Sequence, residues 1–72
     1  MKVVTITDEV FLAAAAELEA QILELSEEER GRPFDESGYS PAHMLHDIRR
    51  RTSRGIAFVI QLIRIQEERK FS

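Results

Sequence analysis

"HMLHDIRRRTSRGIAFVIQLIRI", residues 43–65, decides how this chain is built. Its first half is polar and holds both histidines and four arginines. Its second half is apolar, interrupted by Gln61 and Arg64. Leu45, Ile48, Thr52, Ile56, Val59 and Ile63 recur at helical spacing and mark one face over five turns. Ser40 supplies an N-cap and Pro41 suits the first helical position. The β-branched run after Gly55 also fits a strand. A strand there would need partners that the rest of the chain barely offers, so the spacing predicts a helix over 41–70. Phe58 and Ile65 fall on the side opposite the main stripe, with Ile60 and Leu62 between, so this helix needs cover on more than one side. Gly55 marks where the polar half gives way to the apolar one, by close packing or by a break.

Working outward, residues 31–40 combine Pro33, Gly31 and Gly38 with short polar side chains and run into Pro41, which reads as a loop. Phe34 and Tyr39 inside it are expected to anchor the loop to the helix ends. Upstream, Thr7 caps a helix over 8–30, with Asp8 and Glu9 at the positive end of its dipole. Phe11, Ala14, Ala15, Leu18, Ile22 and Leu25 form one stripe of this helix, and Leu12, Ala16 and Leu23 a second one. The glutamates of "LSEEER" read as its solvated end. Residues 2–7, "KVVTIT", are a β-branched strand or extended arm. The expected fold is mainly α: one domain over 1–72, an antiparallel two-helix hairpin preceded by a short N-terminal strand or arm. Two chains would then form a four-helix bundle through Leu12, Leu23, Phe58, Ile60, Leu62 and Ile65.

Size and charge bound the function. Chains of 72 residues bury little surface alone and often rely on a disulfide, a metal or a partner. There is no cysteine, which removes disulfides and thiolate metal sites and makes a reducing cytoplasm the expected location. Residues 1–7 are too short for the apolar core of a signal segment, and the run at 56–65 is about half a membrane span. Residues 1–37 carry three basic against ten acidic side chains, and residues 38–72 carry seven basic against three acidic. Opposed charge of this kind fits halves that fold against each other, or against a second subunit.

Three chemistries can be read into residues 43–55. His43, His46 and Asp47 have the spacing of metal ligands on one helix face. No second cluster supplies further ligands, and no metal or other cofactor is expected. Arg50, Arg51 and Arg54, with Arg49, can contact a polyanion or an acidic partner. "RRTS" presents Ser53 as a basophilic phosphorylation motif. No nucleophile, base and orienting acid occur in a recognisable arrangement, so no catalytic residue is assigned.

"KVVTIT" followed by "DEVFLAAAAELE" is similar to the opening of the ribbon-helix-helix repressors, with Thr5 and Thr7 at alternate positions of the strand. The resemblance covers about twenty residues and implies a strand-paired dimer that reads nucleic acid through the strand. The chain departs from that family in its long first helix and long loop. The strand also offers threonines and only Lys2 where long polar side chains are expected. The reading favoured by the residues is a non-enzymatic, oligomeric protein-interaction module acting on an unknown partner protein. A small DNA-binding repressor and a metal-binding helical protein are the alternatives.

Overall fold

The computed structural model describes residues 5–70. Its described part is mainly helical, with α1 Asp8–Leu23, α2 Glu27–Gly31, α3 Pro41–Arg50 and α4 Ser53–Lys70. No strand occurs among the described residues. Residues 2–4 of the arm expected over 2–7 lie outside them, and Thr7 is extended because it serves as the cap of α1. Its hydroxyl accepts the Val10 amide at 3.2 Å, satisfying one of the free amides at the helix start. None of the helices among the described residues is long and apolar enough to cross a membrane.

The expected two-helix hairpin is replaced by four helices, and two local breaks explain the difference. The first falls at residues 24–26, inside the span expected to be one helix over 8–30. Ser26 Oγ accepts the Glu29 amide at 3.1 Å, and Glu29 Oε1 accepts the Ser26 amide at 3.0 Å. This reciprocal capping box starts a new helix. It also holds the Glu29 carboxyl below its ordinary pKa, first through the Ser26 amide and then through its hydroxyl.

The second break divides the span expected as one helix over 41–70. Arg51 is left-handed, at φ 59°. Its amide donates to Ile48 O at 3.3 Å, and the Thr52 amide donates to Asp47 O at 3.2 Å. Those two bonds form a Schellman closure of α3, with an arginine at the position that usually holds glycine. Thr52 then caps α4, its hydroxyl accepting the Gly55 amide at 3.1 Å. The run from Ile56 onward is helical as expected, within α4.

α4 turns back along α3, and α1 packs against both. The core contains Ala14, Ala15 and Ile22 of α1, Leu45 and Ile48 of α3, and Val59 and Ile63 of α4. Val59 is completely covered. Full burial of a side chain of this size is worth about 1.5–3 kcal/mol. Ile6, Phe11, Leu18, Met44 and Leu62 pack around this centre. The close approach of α4 to α3 depends on Gly55. A Cβ there would lie 2.2 Å from Asp47 O and 2.7 Å from Ile48 N, both backbone atoms.

Candidate interaction surface

The break at Arg51 gathers the polar side chains of residues 39–55 into one corner. Asp47, half-buried on α3, is its centre. Its carboxylate accepts the Tyr39 hydroxyl at 2.5 Å and the Thr52 hydroxyl at 3.0 Å. The Tyr39 ring lies 5.9 Å from Phe58, 5.7 Å from His43 and 6.4 Å from Phe34, centre to centre. The Arg54 guanidinium covers the same ring at 4.7 Å. The two titrating groups shift apart. Burial, then the hydrogen bond and charge of Asp47, push Tyr39 up to about 12 against the opposing pull of Arg54. The Tyr39 bond leads the effects that hold Asp47 below the usual aspartate value, with smaller contributions from Thr52, Arg54 and His46.

These contacts use up most of the candidate site chemistry. His43 completes a capping box for α3, its Nδ1 accepting the Ser40 amide at 3.2 Å and lying 2.8 Å from Ser40 Oγ. Asp47 is committed to Tyr39 and Thr52. No group of three or more His, Asp or Glu side chains among the described residues is arranged to hold a metal ion. The arginines diverge. Arg54 lies over Tyr39, whereas Arg51 lies over Phe11 at 4.8 Å. Arg49 approaches Glu19 of α1 at 3.9 Å, and Arg50 is exposed. They therefore do not converge on one anion. A small open cavity of about 320 Å³ adjoins Ser37, Gly38, Tyr39, His43 and Arg54.

Sequence reasoning placed six side chains in an oligomer interface, and the structure divides them. Phe58 is half-buried against Tyr39, Leu62 packs on the core, and Ile60 is half-buried. Much of the second cover that the apolar run 56–65 requires is thus supplied within one chain, by α1, α3 and the residue ahead of α3. Leu12, Leu23 and Ile65 remain uncovered, at 55%, 47% and 38% exposure. Leu12 borders a cleft of about 380 Å³ with Asp8, Phe11, Arg51 and Ile56. Phe34, expected as an anchor, touches Tyr39 yet stays 59% exposed.

Few polar contacts join the acidic and basic halves. Besides Arg49 and Glu19, Gln66 Nε2 donates to Glu17 Oε2 at 2.7 Å. Arg50, Arg51 and Arg64 make no ion pair with the described residues. The sequence missed the Tyr39–Asp47–Thr52 cluster because Thr52 joins it only when the chain reverses at Arg51, and an arginine does not advertise that turn. Compared with known family models, curated proteins and solved structures, the chain matches none.

Proposed function

We propose that the protein is a non-enzymatic helical interaction module, cytoplasmic and self-associating. It would act as a regulator, inhibitor or adaptor of a partner protein. The observation that carries this reading is the outer face of α1. Leu12 and Leu23 stand about half exposed there, beside a core of seven well-buried apolar residues among the described residues. Leaving a leucine in water forfeits about 1.5–3 kcal/mol relative to covering it. A domain this small has little stability to set against such a loss. Scattered apolar side chains are ordinary on any surface. These two share one face of one helix, and Leu12 adjoins an open cleft lined also by Phe11, Ile56, Asp8 and Arg51.

The polar corner supports the same reading. Its groups are engaged with one another in holding α3 to α4, which suits a structural role for residues 39–55. The test is light scattering at micromolar concentration. Self-association gives a mass at or above twice the 8.3 kDa chain. A mass of one chain throughout the range refutes it.

A further inference from the structure

We infer that the cap of α3 is a proton-sensitive latch, in which acid added to His43 removes the acceptor that holds Ser40. Capping boxes ordinarily use Glu or Gln at the third helical position to receive the amide of the cap residue. α3 has His43 there. Its Nδ1 receives the Ser40 amide at 3.2 Å, and Ser40 Oγ lies 2.8 Å from the same nitrogen. A neutral imidazole carries one proton on its two nitrogens, so an accepting Nδ1 places that proton on Nε2. Nδ1 is then the only nitrogen left to take a second proton. An imidazolium has two donors and no acceptor. The protonated ring can still donate to Ser40 Oγ, but the Ser40 amide loses its partner. Ser40 is 2% exposed, so water does not replace that partner, whereas His43 is exposed and open to bulk acid. A buried amide without an acceptor is costly, and the cap opens to relieve it.

The groups around the ring pull in both directions. Against the imidazolium stand the positive end of the α3 dipole, in whose first turn His43 sits, and the Arg54 guanidinium of α4. Arg54 and His43 line the same cavity of about 320 Å³. In favour of the imidazolium stands Asp47, one turn on, whose carboxylate already accepts the Tyr39 and Thr52 hydroxyls. Tyr39 stacks on the ring and stays uncharged far above neutral pH. From the loop, Ser37 borders the cavity with its hydroxyl donated to Asp35. His46 is exposed on α3, beside Asp47. These fields set the pH at which the ring charges. The loss of the acceptor follows from where the proton goes, at whatever pH that happens. Its effect reaches the loop ahead of α3, because the Phe34 amide donates at 2.7 Å to the carbonyl of Tyr39, the residue that Ser40 ties down.

Amide exchange of the nitrogen-15-labelled chain between pH 5.5 and 8 tests the latch, with each rate compared with that of an unstructured chain at the same pH. The charge of His43 is read in the same samples from its ring C–H shifts. Asp47 stays ionised over this range, its carboxyl being held below the usual aspartate value first by the Tyr39 hydroxyl. Protection of the Ser40 amide is expected to fall about tenfold as His43 takes up its proton, while the amides of Ala15 and Ile22 in the core hold theirs. His43→Gln keeps an acceptor at the same helical position and does not titrate, so Ser40 protection should stay level in that variant. His46→Gln should behave as the parent chain does. Absent or unchanged protection of Ser40 across the titration of His43 overturns the inference. A loss shared equally by the core amides, retained in His43→Gln or abolished in His46→Gln overturns it too.

Discussion

Gly55→Ala should destabilise this protein, although alanine is the better helix former. Inside an unobstructed helix the exchange gains up to about 1 kcal/mol. At Gly55 the new methyl group would lie 2.2 Å from Asp47 O and 2.4 Å from Asp47 C. Carbon contacts settle near 3.5 Å, so α3 and α4 must separate by about 1 Å. The obstructing carbonyl has little room to retreat. It accepts the Thr52 amide in the turn, and the Asp47 carboxylate is tied to Tyr39 and Thr52. Overpacking of this kind costs about 1–3 kcal/mol and sometimes more. With the propensity gain set against a cost at the upper end, the net loss is about 2–3 kcal/mol. For a domain this size each kcal/mol moves Tm by about 4–8 °C, so the variant should melt roughly 10–20 °C lower. The assay is thermal and urea unfolding followed by circular dichroism, at one fixed protein concentration because association shifts Tm. Gly31→Ala is the control, since no atom lies within 4 Å of its would-be Cβ. Reasoning from the α3–α4 contact is refuted if Gly55→Ala melts at or above the parent protein.

Further outcomes follow from the same corner. Tyr39 is the sole tyrosine and tryptophan is absent, so its phenolate absorbance reports one group. It should titrate near 12 in the folded chain and near 10 in urea. Because the folded value is raised, its contribution to stability is complete below about pH 10 and is lost as pH rises toward 12; Tyr39→Phe should flatten that window in urea titrations. The lowered value of Asp47 works oppositely. Its contribution is present above about pH 4 and is lost as pH falls through the lower folded value, a loss that Asp47→Asn should abolish. Arg51→Gly should be about 1 kcal/mol more stable than Arg51→Ala by urea midpoint, because both lose the Phe11 contact and only glycine relieves the left-handed backbone. Ser26→Ala should cost about 1 kcal/mol and lower amide-exchange protection across residues 27–31.

The legible parts of the fold were those set by local chemistry. Thr7, Ser40 and Pro41 announced two helix starts, and the period of Leu45, Ile48, Val59 and Ile63 gave the buried face. Ser26 and Glu29 also carried a readable signal, the serine–glutamate spacing of a capping box, overshadowed by the unbroken run of helix-forming residues around it. The reversal at Arg51 was harder to read. Left-handed helix ends favour glycine, and the glycine of this segment lies four residues on, where it serves packing instead. Missing that reversal carried a consequence for the interface. A continuous helix over 41–70 leaves Phe58 and Leu62 in need of a second chain. A folded-back α4 meets much of that need with α3 and Tyr39, and leaves Leu12, Leu23 and Ile65 uncovered among the expected interface residues. The candidate metal and anion residues were legible as types, but their partners were not. His43 turned out to complete a cap, and Asp47 to receive two hydroxyls from residues eight before and five after it.

The most direct test is sedimentation equilibrium of the parent chain beside two variants whose folding is verified by circular dichroism. One carries Leu12→Asp with Leu23→Asp on the outer face of α1. The other carries Val10→Asp, at a side chain 41% exposed but turned about 160° away from Leu12 on the same helix. The expected result is a dimer for the parent and for Val10→Asp, and a mass of one chain, 8.3 kDa, for the double variant. A double variant that remains folded and dimeric, or a parent that sediments as a single chain, contradicts an interface on this face of α1.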